Sequence, residues 1–526
     1  MHKPKTFRPW QPGQTSLLPP SPREWLSEDH QVYFLLDLVD VLDLSAIVIP
    51  AQAKDPRGEK GFDPRMLTLL LLYAYCVGTV SSRKIERACY EDLAFRVLTG
   101  NQQPDHSRIS EFRRRNLEAL SELFVQILRL CQEAGMVSLG HVALDGTKVQ
   151  ANASKHKAMS HERMLKAEAQ LEKEIRELLR KAEILDAQED GKYGKGKLGS
   201  DLPKELQRRQ DRLEAISRAR KALEAETAAA AARDRAKQAA AAEAALAEAV
   251  AANTNADDTD ADAAADASEQ QKLREKAVKA KEKAEAAREL AIERANEAGL
   301  EPQGLDPQPA DAMPYRGLAH RADGSPTAKT QRNFTDPDSH IVKSDGNVLQ
   351  GYNCQAVVDA DHQVIVAMGV SNQPPDVEHL VPMLERTITN TSQVPKTLTA
   401  DAGYWSEDNA AACEQRGVDP HIATGRLPHG QPPPPIFGPI PKDLDAKGRM
   451  ARKLRKKEGR EIYAKRKTIV EPVFGQTKEG RGLRRFLLRG LEKVNGEWLL
   501  WGTTHNLNKL WRFLKQQRLQ QAMATG

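Results

Sequence analysis

The sequence predicts a mixed α/β fold, in which five strands form one sheet flanked by helices. Three observations support this prediction. Leu and Ile recur at helical spacing through residues 25–135, and apolar or β-branched runs typical of strands lie near residues 142, 349, 364, 397 and 420. Residues 160–312, which separate the first run from the others, are rich in Ala and in charge. We therefore interpret them as a large helical, low-complexity insertion after the first strand.

These patterns divide the chain into five segments. Residues 1–24 are predicted to be a flexible tail, and residues 25–135 an all-helical N-terminal domain. Residues 136–159 hold the first strand, 160–312 the insertion, and 313–526 the other strands and the C-terminal helices. Without the insertion, three meander strands are followed by a helix, a fourth strand, a helix, a fifth strand and a helix. That order predicts a mixed sheet, because the last two strands follow helical crossovers.

Composition argues against several classes of protein. The chain has 526 residues and a mean hydropathy of −0.60, and its longest apolar stretch, MLTLLLLYAYCVG at 66–78, is too short to span a membrane. Its five cysteines form no CxxC pair, which argues against a zinc site or a disulfide framework. The N-terminal sequence lacks the apolar core of a signal peptide. We therefore expect a cytoplasmic protein without membrane contact.

Positive charge is concentrated near the C-terminus. Residues 442–489 contain 17 Lys or Arg against 6 Asp or Glu, although the net charge of the whole chain is only +5. Such a block attracts phosphate-rich polymers in a salt-dependent manner. A solvated, partly disordered linker is an equally open interpretation of this segment.

A helix pair in the N-terminal segment is also basic. Residues 81–116 predict a helix, a turn broken by Gly and Pro, and a second helix capped near Asp105 or Ser107. The second helix carries Arg108, Arg113 and Arg114. Such a pair suits docking on DNA, and an ordinary helical bundle with arginines on its wet face is the alternative.

The insertion predicts long helices. Apolar residues at near-heptad steps form two series separated by DGKYGKGKLG, which predicts an antiparallel hairpin or coiled coil. The Ala-rich acidic stretch ALAEAVAANTNADDTDADAAADASEQ is predicted to be disordered, and a further charged helix is expected at about 269–298.

Two aspartates stand at the ends of predicted strands. In HVALDGTKVQANAS an apolar run reaches Asp145 and meets Gly146, and in TLTADAGYW a second run ends on Asp401. An Asp-Gly turn would explain the first site alone. Two carboxylates at the same end of neighbouring strands would instead repel and require a cation, for which Mg²⁺ or Mn²⁺ is the natural choice. Glu471 offers a third carboxylate, and the adjacent Pro472 predicts either a helix start or a bend.

Taken together, the motifs resemble those of bacterial insertion-sequence transposases of the DDE class, whose catalytic domain has an RNase H-like fold. The similarity lies in ALDGTKVQANAS, QGYNCQAVVDADHQVIVA, TADAGYWSEDN and IVEPVFGQTKEGRGLRRFLLRGLEKVNGEW, and in the N-terminal stretches GFDPRMLTLLLLYAYCVGTVSSRKIERACYED and PDHSRISEFRRR. It covers most of the chain outside the insertion.

The resemblance implies roles for six residues. Asp145, Asp401 and Glu471 would be the catalytic, metal-binding D, D and E. The Tyr-Arg-Glu-Lys signature, which contacts the transposon end, would include Tyr463, Arg466 and Lys478. In that signature three residues usually separate Arg from Glu, whereas four separate Arg466 from Glu471, and Lys467 would restore the usual count.

The function implied is DNA transposition in the bacterial cytoplasm, at the nucleoid. The protein would bind the inverted ends of its own element as a homodimer and would cut them and join them to target DNA, using two Mg²⁺ ions or Mn²⁺ in their place. Two alternatives stay open, a related nuclease that cuts without joining and a cleavage-dead DNA-binding relative. Trp405 could stack on a base, but core packing is the favoured interpretation.

Overall fold

The computed structural model describes residues 9–11, 24–47, 61–193, 202–253, 260–302, 305, 309–315, 317–344, 347–425, 436–439, 441 and 444–525. Most of the predicted N-terminal tail lies outside these residues. The chain forms two compact units. The first comprises Met1–Ala153, Ala310–Tyr315 and Asp338–Gly526, and the second comprises Ser154–Pro309 and Arg316–Pro337.

In the described part of the first unit, helices precede the first strand. They are α1 (Gln31–Leu38), α2 (Pro64–Cys76), α3 (Ser82–Glu91), α4 (Leu93–Leu98), α5 (His106–Arg115) and α6 (Leu117–Glu133), followed by strand β1 (Val142–Gln150). Asp63 caps α2 by accepting the Arg65 N–H at 2.7 Å, and Pro64 occupies the first turn, where it costs no hydrogen bond. Asp105 caps α5 in the same way. Helix α2 is buried on nearly all sides, as its apolar sequence predicts.

The second unit consists mainly of long helices. It contains strand β2 (Ala158–Ser160), helices α7 (His161–Tyr193), α8 (Leu202–Asn253) and α9 (Asp260–Ala298), and strand β3 (Gln331–Asn333), which pairs with β2. Helices α7 and α8 run antiparallel, because Glu168 contacts Arg220 while Glu174, further along α7, contacts Arg209, each at 2.9 Å.

The alanine-rich acidic segment was predicted to be disordered, but its described residues are helical. Helix α8 continues to Asn253 and α9 begins at Asp260, and residues 254–259 lie outside the described residues. Alanine has the highest helix propensity of all residues, and alanines of the two helices pack together, among them Ala228, Ala232 and Ala291. Small side chains let two helices approach closely, so the low-complexity composition is compatible with a packed helix pair.

The first unit continues after the insertion. Its remaining elements are β4 (His340–Ser344), β5 (Asn347–Asp359), β6 (Ile365–Ser371), α10 (Leu380–Thr391), β7 (Thr397–Ala400), α11 (Glu407–Gln415), β8 (Asp419–Ile422), α12 (Ala446–Arg455), α13 (Lys457–Ile469), α14 (Glu471–Gly475) and α15 (Leu491–Thr525). The basic run at 452–460, for which a linker was one interpretation, lies in α12 and α13.

The sheet is mixed and has the predicted succession of strands. Its order is β4-β5-β1-β7-β8, with β6 also paired to β5. The pairs of β5 with β1, β4 and β6 are antiparallel, whereas β1–β7 and β7–β8 are parallel. The described sheet has one strand more than the five predicted. Strand β5 is 13 residues long, and β6 pairs only with its second half, so the short β4 can pair with its first half.

Strand β1 does not end at Asp145. It continues through Gly146 to Gln150 and pairs with β5 along its whole length, with Asp145 opposite Ala356 and Gly146 opposite Gln355. The Asp-Gly turn is therefore not formed. A Cβ at position 146 would lie 2.5 Å from Gln355 Nε2 and 3.1 Å from Tyr404 Oη. Glycine is needed there because two side chains cross the strand, and not because of a positive φ.

Helix α15 packs on the sheet, as its tryptophans and leucines predict. Trp498 and Trp501 are buried, and α15 contacts β6, α6 and α2. Asn506 pairs with both backbone groups of Ile365 on β6, donating to the carbonyl and accepting from the N–H, each at 2.8 Å. One hydrophobic core thus extends from the N-terminal helices to the sheet, so a separate core does not mark the boundary predicted at residue 135. None of the helices in the described ranges has the length and hydropathy needed to cross a membrane.

Candidate active site

The sheet brings Asp145 and Asp401 together. β1 pairs in parallel with β7 through Val142↔Leu398 and Ala143↔Thr399. The pairing ends two residues before Asp145 and Asp401, and the same register continued would bring Asp145 level with Asp401, the residue that follows β7. Asp401 also caps the short turn Ala402–Tyr404 by accepting the Gly403 N–H at 2.8 Å. The charge of Asp401 raises the pKa of Asp145, so the two acids are within electrostatic range of each other, although only β7 ends there.

Arg466 on α13 links these acids to Glu471. Its Nη1 donates to Asp145 Oδ2 at 2.9 Å, and its Nη2 lies 3.7 Å from Glu471 Oε1. The arginine side chain is 10% exposed, whereas that of Glu471 is 52% exposed, so the cluster opens to solvent on the Glu471 side.

The charges in this cluster perturb one another. Burial raises the pKa of Asp145 to about 6, with a further increase from the charge of Asp401, and the guanidinium of Arg466 opposes both. Burial acts to lower the pKa of Arg466, but the negative charges of Asp145, Asp401 and Glu471 outweigh it and raise that pKa. The three predicted carboxylates thus act on a single cation.

A break between two helices lies between Arg466 and Glu471. Helix α13 ends at Ile469 and α14 begins at Glu471, with Pro472 in its first turn. The additional residue falls at this break. As a result Arg466 is buried against Asp145 while the neighbouring Lys467 is exposed.

Tyr463 and Lys478 lie on either side of this arrangement. The guanidinium carbon of Arg466 lies 6.0 Å from the centroid of the Tyr463 ring. Lys478 lies in a π-helical turn, Gln476–Gly480, and its Nζ donates to Thr147 Oγ1 on β1 at 3.1 Å. Single π turns are frequent at functional sites. Here the turn brings a lysine to the strand two residues beyond Asp145.

The donor chemistry of the cluster fits a hard divalent cation. Asp145, Asp401 and Glu471 offer only carboxylate oxygens, which Mg²⁺ and Mn²⁺ prefer. Within the described ranges, no three His, Cys, Asp or Glu side chains are arranged so that they could hold a metal ion. The countercharge in this arrangement comes from Arg466.

The three arginines predicted on α5 have different environments. Arg108 and Arg114 are exposed, and Arg114 lines an open cleft with Arg83 and His106. Arg113 is buried and donates to the Val80 carbonyl at 2.9 Å and to Tyr75 Oη at 3.3 Å. Its two terminal nitrogens donate inside the protein and its side chain is buried, so its position does not favour the predicted DNA contact.

A buried polar network next to the cluster has no counterpart among the predicted residues. Asp376 Oδ1 accepts from Lys148 Nζ at 3.1 Å, Asn353 Nδ2 at 2.7 Å and Gln355 Nε2 at 3.0 Å. Tyr404 Oη donates to Gln355 Oε1. One signal was present in the sequence, since Asn353 and Gln355 alternate with Tyr352, Cys354 and Ala356 in the middle of a strand, which places both on one face. Trp405 packs partly buried against the core, as favoured.

Glu497 holds the basic loop that follows Lys478. Its buried carboxylate accepts the N–H of Leu487 at 3.0 Å and that of Leu488 at 2.9 Å. The Phe486 N–H donates to the Gln150 carbonyl at 2.9 Å. The loop is thereby attached to the end of β1, with Arg485 exposed.

We expect Glu497→Gln to flatten the dependence of stability on pH. Burial raises the pKa of Glu497 above its usual value of 4.5. At pH values between 4.5 and the raised pKa, the folded state therefore binds more protons than the unfolded state. Stability contributed by this group is therefore present below the unfolded pKa and declines as pH rises above about 4.5. Urea unfolding between about pH 4.5 and pH 7 should show a smaller decline for the variant than for the wild type. Parallel curves of unfolding free energy against pH for the variant and the wild type would contradict this prediction. The control is Glu492→Gln, because Glu492 is an exposed carboxylate on the same helix.

Comparisons with known proteins agree with the motifs at both ends of the chain. Residues 20–115 match a family model described as "Transposase domain (DUF772)", and residues 441–511 match one described as "Transposase DDE domain". The second match includes Tyr463, Arg466, Glu471 and Lys478. No curated protein and no solved structure matches the chain. Together the two domain matches support an insertion-sequence transposase of the DDE class, and they confirm the resemblance carried by the sequence motifs.

Proposed function

We propose that the protein binds the inverted ends of its own insertion sequence, cuts the DNA there and joins the cut ends to target DNA. The observation that supports this most directly is the grouping of Asp145, Asp401 and Glu471 around Arg466. A three-strand meander followed by two parallel strands supports the RNase H-like fold implied by the resemblance. The proposed assembly is a homodimer, one protomer for each end, acting at the bacterial nucleoid.

Asp145, Asp401 and Glu471 are the residues that would hold Mg²⁺, as two ions, or Mn²⁺ in its place. When bound, the ions would stabilise the attacking and leaving oxygens of an in-line displacement at phosphorus. The chain itself would orient the DNA. Glu471 lies at the exposed side of the cluster, from which a phosphodiester would approach.

Basic side chains around the cluster would bind the phosphates. Lys478 is held against β1 by Thr147, and the loop attached by Glu497 presents Arg485 beside the same strand. Tyr463 would donate a hydrogen bond to a phosphate. Arg108 and Arg114 on α5 would supply a second contact region. Neutralising phosphates in this way gives sequence-independent, salt-sensitive affinity.

The test is a cleavage and joining assay with purified protein, a DNA carrying the native element ends and a target plasmid, with Mg²⁺ or with a chelator. Cuts at the ends and joined products, both dependent on Mg²⁺, would support the proposal. Cut ends without joined products would favour the nuclease. Specific binding of the ends without cutting would favour the cleavage-dead relative.

The pair of variants Arg466→Ala and Lys467→Ala tests the signature. Arg466→Ala removes the buried guanidinium that holds Asp145 by a hydrogen bond, so we expect end cleavage to fall on the order of 100-fold. Lys467 is exposed, and its removal should change cleavage by no more than about twofold. Cleavage rates at saturating Mg²⁺ measure both effects. A larger loss of cleavage for Lys467→Ala than for Arg466→Ala would show that Lys467 takes the place of the arginine in the signature.

A further inference from the structure

We infer that Asp376 is a positioning residue, which acts through Gln355 and Tyr404 to fix the separation of Asp145 and Asp401. The inference rests on the proposed function, because it concerns two of the proposed metal ligands. Asp376 belongs to none of the predicted motifs and lies in the segment between β6 and α10.

The sheet alone does not determine this separation. The parallel pairing of β1 with β7 ends at Ala143↔Thr399, two residues before the acids. The pairing of the two strands does not extend to the acids themselves. Some other contact has to hold the Asp401 turn near Asp145, because metal ligands function only when their geometry is held closely.

The polar network supplies contacts on the Asp401 side. Tyr404, at the end of the turn that Asp401 caps, is fully buried and donates to Gln355 Oε1. Asn409 Nδ2 donates to the Tyr404 carbonyl at 2.8 Å and to the Val377 carbonyl at 2.7 Å. The turn after β7 is therefore joined through Asn409, on α11, to the segment that carries Asp376.

The two segments also approach each other at Gly403. A Cβ built on Gly403 would lie 3.0 Å from Asp401 Oδ1 and 3.5 Å from Asp376 Oδ2. A carboxylate oxygen of Asp401 and one of Asp376 thus both lie close to the same glycine.

On the other side the network reaches the neighbour of Asp145. Gln355 lies opposite Gly146 in the β1–β5 pair, and its amide occupies the space that a side chain at 146 would need. Lys148, two residues further along β1, donates to Asp376 Oδ1 at 3.1 Å. A single carboxylate thus connects β1, β5 and the Asp401 turn.

One carboxylate oxygen of Asp376 is held by hydrogen bonds inside the protein. Its Oδ1 already accepts from Lys148, Asn353 and Gln355, and the two amide side chains are completely buried. Buried polar groups with satisfied hydrogen bonds make a structure rigid and specific. Residues that orient metal ligands in this way affect metal affinity without touching the metal.

The test compares Tyr404→Phe with Tyr75→Phe. Each change removes one buried hydroxyl that makes a hydrogen bond, but Tyr75 bonds to Arg113 on α5, outside the network. We expect Tyr404→Phe to weaken Mn²⁺ binding roughly tenfold to a hundredfold, as measured by titration calorimetry without DNA. The rate of end cleavage should fall by a similar factor. The KM for end DNA should not change. Tyr75→Phe should match the wild type in all three measurements.

Asp376→Asn provides a second measurement that does not depend on Tyr404. Asparagine keeps the size of the side chain and one acceptor oxygen, so it should retain part of the Mn²⁺ affinity that Asp376→Ala loses. Equal Mn²⁺ affinity in the wild type, Tyr404→Phe and Asp376→Asn, with cleavage intact in all, would overturn this inference and leave the proposed function standing. If the wild type neither bound Mn²⁺ nor cut end DNA, the proposed function would fail and the inference with it.

Discussion

Asp401→Asn should abolish Mg²⁺-dependent cutting of element ends while end binding persists. The change removes one negative charge from the acid cluster, and an amide is a poor ligand for a hard divalent cation. Asparagine also caps turns well, so the bond from the Gly403 N–H and the turn itself should survive. We expect the cleavage rate to fall on the order of 1000-fold, the scale found when one group that stabilises charge in the transition state is removed.

The measurement is a time course of end cleavage at saturating Mg²⁺, together with a mobility-shift titration of the same DNA. Asp408→Asn is the matched control, because Asp408 is an exposed carboxylate in the first turn of α11, seven residues further along the chain. It should cut as the wild type does. Undiminished cutting by Asp401→Asn would remove Asp401 from the proposed metal site.

Trp498→Ala should cause the largest loss of stability. Trp498 is 1% exposed, its Nε1 donates to the Gln355 carbonyl at 3.0 Å, and its ring stacks on Phe474 with centroids 6.4 Å apart. It therefore joins α15 to β5 and to α14, the helix that begins with Glu471. Removing a buried tryptophan costs about 3–5 kcal/mol through lost transfer energy and the cavity that remains.

Urea unfolding of Trp498→Ala and Trp511→Ala measures this effect. Trp511 lies on the same helix but is only partly buried, so its removal should lower the free energy of unfolding by about 1–2 kcal/mol at most. Similar losses for both variants would show that Trp498 does not serve as the proposed junction. Under native conditions Trp498→Ala should also lower end cleavage, since the support beneath Glu471 is removed.

Much of the fold could be predicted from local pattern. The helices of the N-terminal segment, the α7–α8 hairpin, the tryptophan-rich α15 and the order of the five strands all follow from apolar periodicity and capping residues. Strand β4 was not predicted because its five residues, HIVKS, are too few to show the alternation of apolar and polar residues typical of a strand. Helix in the acidic, alanine-rich segment was not predicted because composition alone does not separate an alanine-rich helix from a disordered stretch.

The candidate site divides in the same way. Asp145 and Asp401 were singled out because two acids at the ends of neighbouring strands are costly without a cation, and Glu471 because it offered a third carboxylate in a motif of the resembled family. Arg113 looked like its neighbours on α5, yet its side chain turns inward to Val80 and Tyr75. Asp376 carried no local signal, because its partners lie on β1 and β5, distant in the sequence.

The sequence by itself determined which chemical groups this protein can offer: three carboxylates, a basic C-terminal segment and a core that holds them. Only the tertiary structure decided that the side chains of Gln355 and Tyr404 cross β1 at Gly146, where no turn is formed. It also decided that Arg466 rather than Lys467 contacts Asp145. The physical reason is the same in both cases. A side chain's role depends on what a distant segment places opposite it, and periodicity and spacing report only on neighbours along the chain.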